Sequence, residues 1–327
     1  VLISRHTLRE RERLKIGTSW WFGLLGGALL FACGDDGGGT VGGGQMYTTH
    51  SSVSDGNTPF GSVLAGAGPG VYGVVPGTSL NTIQDGWSIE YTKFLVSLGG
   101  VTFVGTRDGD IDLSANVVID VQNLSEVGDL VGQVAVTSPP SSIEFSLQPA
   151  DAATFQALSP STAEADLELM TAGGYTVYIE GAIEKKDGRS CSPGVPKVCV
   201  PASRITFRWG LSHSVRYLGC GTGADLSGPV SLIFPAVRWL YTRFYTDSAG
   251  PPPMRAQWIA DADLDHDGET TLDELMKAPA AGLFTLDQGY DLTGASTSIA
   301  TAYDFLREQV RALGSSSWGD CAAIRDL

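Results

Sequence analysis

Between residues 60 and 235 the chain is built of short β-branched and aromatic runs cut by glycine and proline. The run 87–98 opens with apolar residues at Trp87, Ile89 and Tyr91 and polar residues between them. That is the period of a strand with one buried face. Further strands are expected over 101–104, 117–121, 133–136, 143–147, 175–181, 204–209 and 230–233. Gly99-Gly100, Pro139-Pro140 and Gly173-Gly174 read as turns between them. Residues 150–170 are richer in Ala, Asp, Glu and Leu, which predicts one short helix. Beyond 235 the period lengthens. Ile299, Ala302, Tyr303, Leu306, Val310 and Leu313 share one face of a helix over 298–313, closed by Gly314. Trp239, Leu240, Phe244 and Tyr245 are expected to pack into a core from a helix or a strand end. The pattern predicts a mainly β protein, with a β-sandwich over 61–235 and a small α-helical region over 236–327.

The first 60 residues differ from this body. Arg5, Arg9, Arg11, Arg13 and Lys15 precede an apolar run over 20–32, which is short for a membrane span. A basic lead and a short apolar stretch ending in small residues make a secretory signal, expected over 1–32. The junction Leu30-Phe31-Ala32-Cys33 resembles the lipobox of bacterial lipoproteins. The resemblance implies cleavage before Cys33, acylation of its thiol, and a protein held to the membrane through its N-terminal lipid. Seven of the eleven residues from Gly34 to Gly44 are glycine. Residues 33–60 therefore read as a flexible tether.

Charge and cysteines refine this layout. The formal net charge is −15, and residues 1–32 carry five basic and two acidic side chains, so the remainder stands at −18. Such a balance argues against nucleic acid as a partner, since phosphate binding needs a basic surface. With Cys33 set aside, Cys191, Cys199, Cys220 and Cys321 can pair in three ways, in a compartment that permits disulfides. Cys191–Cys199 across a Pro/Gly turn and Cys220–Cys321 across a long loop are the expected pairs. A four-cysteine metal site is the alternative, without any C-x₂-C spacing to favour it.

The most specific motif lies at 263–274. Asp263, Asp265, Asp267, Gly268 and Glu274 satisfy D-x-[DN]-x-[DN]-G-x₅-E at every defined position. Calcium is a hard cation that takes six to eight oxygens. Alternate aspartates of a tight loop can aim at one centre, and Gly268 permits the sharp bend. The stretch resembles the EF-hand family. That resemblance implies ligation by Asp263, Asp265, Asp267, the Glu269 carbonyl, Thr271 and the Glu274 carboxylate, with helices over 254–262 and after 272. Thr270 stands where the family usually has an aliphatic residue that pairs with a second loop. The chain has no second matching loop, so a solitary site of modest affinity is expected.

Other chemistry is sparse. Neither G-x-S-x-G nor a phosphate-binding P-loop occurs. The cluster Asp108-Gly109-Asp110-Ile111-Asp112 reads as a hairpin turn. Gly219-Cys220-Gly221-Thr222-Gly223 reads as a turn around a disulfide, and His213 as a structural residue. Trp87 with Lys93-Phe94-Leu95-Val96-Ser97 is similar to the opening of a group of uncharacterised bacterial lipoproteins. The resulting expectation is a non-enzymatic, calcium-binding envelope protein, lipid-anchored and facing a protein or polysaccharide partner. The outer membrane is favoured over the inner. A periplasmic copper or zinc handling protein and a secreted hydrolase are the alternatives.

Overall fold

The computed structural model describes residues 60–66, 83–124, 129–136, 138–155, 157–193, 198–221, 230–244, 252–317 and 320–327. The expected signal segment, Cys33 and nearly all of the tether lie outside them. The described chain is mainly β. Its strands are β1 (Phe60–Gly66), β2 (Ser88–Thr106), β3 (Gly109–Asp120), β4 (Asp129–Ala135), β5 (Ser142–Leu147), β6 (Ala157–Leu158), β7 (Val177–Glu184), β8 (Arg189–Ser192), β9 (Val198–Pro201), β10 (Arg204–Leu211), β11 (Val215–Cys220), β12 (Val230–Ile233), β13 (Glu269–Thr270), β14 (Ser315–Ser316) and β15 (Ala323–Asp326). Helices are α1 (Glu164–Gly173), α2 (Gln257–Asp261), α3 (Leu272–Lys277), α4 (Ala280–Leu283) and α5 (Ala302–Arg311).

A curled nine-stranded sheet carries the fold, with the path β13-β10-β7-β2-β5-β11-β15 and with β3 and β6 attached through β2. The centre is β2, nineteen residues long. One edge pairs with β3, while the other pairs first with β7 and then with β5. This corrects the turn expected at Gly99-Gly100, because the strand runs straight through both glycines. Register shifts fall at this point against β3 and β5. A Cβ at Gly99 would collide with the Gln148 side chain. The glycines mark a bulge and a close approach, which sequence alone does not separate from a turn.

Strand periodicity also explains why 94–98 is a continuous buried run. Phe94, Val96 and Leu98 face the main core. Leu95 faces a smaller cluster with Val118, Ala150, Phe155, Met170 and Tyr178. Helix α1 supplies Met170, so it covers the second face of the sheet. Both faces of β2 are thus dry at its middle.

A second sheet has the order β14-β12-β1-β4. Val230 and Leu232 of β12 join the same main core. The expected strands over 143–147, 204–209 and 230–233 fall within β5, β10 and β12, that over 117–121 covers only the end of β3, and the acidic cluster at 108–112 is the β2–β3 turn and the start of β3. Residues 238–240 form one 3₁₀ turn, with Trp239 and Leu240 fully buried. The helix expected over 298–313 is α5, shorter because Thr301 and Asp304 close a capping box at its start.

The segment after 252 is not separate from the sheets. β13, β14 and β15 each add to a sheet edge formed earlier in the chain. Trp209 of β10 stacks on Trp258 of α2 at 5.8 Å, and Trp239 meets both edge-on at 5.4 and 6.0 Å. Phe305 of α5 meets Trp258 at 5.7 Å. Disulfides join Cys191 to Cys199 and Cys220 to Cys321, as expected.

Candidate metal site

The acidic loop begins where α2 ends. Asp85 accepts hydrogen bonds from Ala256 N and Gln257 N, both 2.8 Å, and so caps that helix. The chain then turns through residues 262–268. His266 takes a left-handed φ of 63° and Gly268 a φ of 90°, a region that favours glycine. Successive side chains are held by the loop's own backbone. Gly268 N donates to Asp263 Oδ2 (3.1 Å), Asp267 N to Asp265 Oδ1 (3.2 Å) and Glu269 N to Asp267 Oδ1 (2.8 Å).

These bonds bring Asp263, Asp265 and Asp267 together. One carboxylate oxygen from each lies within 4.8 Å of the other two. Asp263 is 1% exposed, and its Oδ1 has no hydrogen-bond partner among the described residues. A buried, unpartnered carboxylate oxygen is costly, the more so beside further negative charge. Burial first, then the charges of Glu274 and Asp267, push the Asp263 carboxyl above the usual carboxylate range.

The clustered carboxylates do not include Glu274, whose oxygens are held by the loop's own backbone and by Thr271. Glu274 Oε1 accepts from Leu264 N at 2.8 Å, so its side chain reaches back over the loop's first turn. Its Oε2 accepts from Thr271 N and Thr271 Oγ1, both 2.8 Å. Thr271 Oγ1 in turn accepts from Glu274 N, which completes a capping box on α3. Glu269 is half-buried and leads into β13.

The loop's exit strand finds a partner that sequence reasoning did not foresee. β13 runs parallel to β10, with Glu269 opposite Thr206 and Thr270 opposite Phe207. Thr206 N donates to Gly268 O at 2.9 Å, and Trp209 Nε1 donates to Thr270 O at 2.7 Å. Thr270 is fully buried and its hydroxyl donates to Ile259 O at 2.7 Å. Thr270 is therefore polar for a reason. It ties the loop's exit to α2, while β13 pairs with the edge of the large sheet.

A second support was also missed. The β8–β9 hairpin prolongs the β7–β10 pair beyond the large sheet and carries Cys191 opposite Cys199. Ser190 Oγ and Ser192 Oγ lie 2.8 and 2.9 Å from His266 Nδ1 and Nε2. Cys191 N donates to Asp261 Oδ1 at 2.9 Å. Nothing in the sequence links residues 190–192 to 261–266, since the contact depends on where the hairpin lies. With both ring nitrogens engaged by serines, His266 is turned from the carboxylate trio.

The remaining candidates have other roles. His213 Nε2 lies 3.0 Å from Asp326 Oδ1 and pins β15. Asp120, raised by burial, spends its oxygens on Gln122 N and Asn123 Nδ2 and so holds a turn. Comparisons with protein-family models, curated proteins and solved structures gave no significant match.

Proposed function

We propose that the loop 263–274 binds one calcium ion, as an EF-hand-like site whose role is structural. The observation that carries this reading is the buried, unpartnered Asp263 Oδ1 beside the Asp265 and Asp267 oxygens. An all-oxygen, multiply anionic donor set suits a hard divalent cation and suits copper or zinc poorly. Asp263, Asp265 and Asp267 would hold the ion, with Glu274, Thr271 and the Glu269 carbonyl as the remaining candidates. Bound calcium would offset the repulsion among these carboxylates.

The consequence is architectural. The loop joins α2 and α3, and β13 attaches it to β10. Fixing the loop fixes both helices on the sheet, within one aromatic core. In this reading the two sheets form a β-sandwich, and the helices over 257–311 are clamped on it by the ion. The protein is non-enzymatic, anchored through lipid on Cys33 at the bacterial envelope, and presents the sandwich to a protein or polysaccharide partner. The anchor rests on the basic lead, the apolar run and the Leu30–Cys33 junction of the sequence.

Thermal unfolding with and without calcium tests the structural role. A ligand at a hundred times its Kd stabilises the folded state by about 2.7 kcal/mol. Calcium is expected to raise Tm, and a chelator to reverse the rise. An unchanged Tm at about 10 mM calcium, above the range of the weakest extracellular sites, would refute the proposal.

A further inference from the structure

We propose that the Cys191–Cys199 hairpin is a redox-sensitive support of the cation loop, so that the state of this disulfide sets the affinity of the site. The inference rests on the calcium reading above and adds to it a coupling between two chemistries.

Four contacts join the hairpin to the loop. Cys191 N donates to Asp261 Oδ1, on the last residue of α2. Ser190 Oγ lies 3.3 Å from Asp263 O, on the first expected ligand. Ser190 and Ser192 bracket the His266 ring. This network closes if His266 carries its proton on Nδ1. That N–H donates to Ser190 Oγ, the Ser190 hydroxyl donates to Asp263 O, and the Ser192 hydroxyl donates to Nε2. His266 lies between Asp265 and Asp267 in sequence and has a left-handed backbone, a conformation uncommon for a residue with a Cβ. The serines are what hold it there. A fifth bond, Gln257 Nε2 to Arg189 O at 2.7 Å, ties the start of α2 to the same hairpin.

The hairpin's own order depends on the disulfide. It is two strands of four residues that prolong the β7–β10 pair beyond the large sheet, through Lys185 N to Ser203 O and Ala202 N to Gly188 O, both 2.9 Å, with no third strand beside them among the described residues. Two strands without a third are marginal in water, so the far end of this arm relies on the cross-link. The cross-link sits on a directly opposed pair, where it holds Ser190 and Ser192 in register with β9. Cys199 is exposed, whereas Cys220 of the other disulfide is fully buried. An external dithiol therefore reaches Cys199 first. Its thiolate attacks the Cys199 sulfur and displaces Cys191. A second thiolate of the reductant then releases Cys199 and leaves the reductant as a disulfide. Two electrons and two protons pass to the Cys191 and Cys199 thiols. Freed of the link, the hairpin loosens and His266 loses its two hydroxyl partners. The loop then samples geometries in which the three aspartates no longer converge. By linkage the effect is reciprocal, and a bound cation protects the disulfide.

The test is a calcium titration by calorimetry on the oxidised chain and on the chain reduced at Cys191–Cys199 alone, with thiols counted by mass spectrometry. Reduction is expected to weaken calcium binding by about 10- to 100-fold, the range for losing an outer support of a metal site. Saturating calcium is expected to slow reduction of this disulfide by the dithiol. Ser192→Ala, with the disulfide intact, is expected to weaken binding in the same direction. Equal affinity in the two redox states would overturn the coupling while leaving the calcium reading in place. An oxidised chain that binds no calcium would overturn both.

Discussion

At the residue scale, Asp263 has the most exacting position. It is the innermost acid of the loop, and its carboxyl is raised by burial and by its neighbours. A raised carboxyl binds its proton more tightly in the folded state than in the unfolded one. Without metal, its contribution to stability therefore falls as pH rises from the unfolded value of 3.8 through the folded pKa. Calcium competes with that proton and should remove the penalty at neutral pH. Asp263→Asn is expected to abolish calcium binding yet leave the chelated protein at least as stable as the native chain at pH 7, read by thermal unfolding. Asp326 has the opposite sign. Hydrogen bonds from Arg311 and His213 outweigh its partial burial and hold its carboxyl below the usual range. Stability from that site is present above pH 3.8 and lost as pH falls through the lower folded pKa. Amide exchange in β15 should accelerate across that acid window, and Asp326→Asn should remove the dependence.

At the scale of elements, the support of the loop by β10 is the feature to probe. Trp209 both stacks on α2 and donates to the exit of the loop. Trp209→Phe keeps an aromatic ring and removes the bond to Thr270 O. Calcium affinity should fall by about tenfold, as for other outer supports of metal sites, with far-ultraviolet dichroism unchanged. This element also shows where sequence reading stops. The ligand spacing at 263–274 is local and can be read directly from the chain. The partner of Thr270 is not, because Phe207 lies sixty-three residues away and the pairing depends on how the large sheet curls. Gly99 and Gly100 make the same point, since a glycine pair in a long strand and one in a turn look alike until the neighbour, here Gln148, is known. Ser190 and Ser192 carry no signal of their role, although the close cysteine spacing around them correctly marked a hairpin.

For the molecule as a whole, the two disulfides should contribute unequally. Cys220–Cys321 spans 101 residues and Cys191–Cys199 spans eight. In the chain-entropy model their loss costs about 4–5 and about 2–3 kcal/mol respectively. Replacing Cys220 and Cys321 by serine should therefore lower the denaturant midpoint more than the same change at Cys191 and Cys199. The smaller link should matter more for calcium. Periodicity is a local property, so β5, β10, β12 and much of β2 and β7 were legible and the mainly β class followed from them, whereas β11, which takes in Gly219 and Cys220 of an expected turn, and the first half of β3 were not. The union of the segment after 252 with both sheets was not legible, since β13, β14 and β15 are only two to four residues long. Trp209 ties β13 to the aromatic core, while Arg311 and His213 hold Asp326 of β15. In the proposed reading one cation closes this assembly. The decisive experiment is a calorimetric titration of the oxidised, chelator-treated protein with calcium. A single site that is lost in Asp263→Asn is expected, and no binding heat up to about 10 mM calcium would refute the cation.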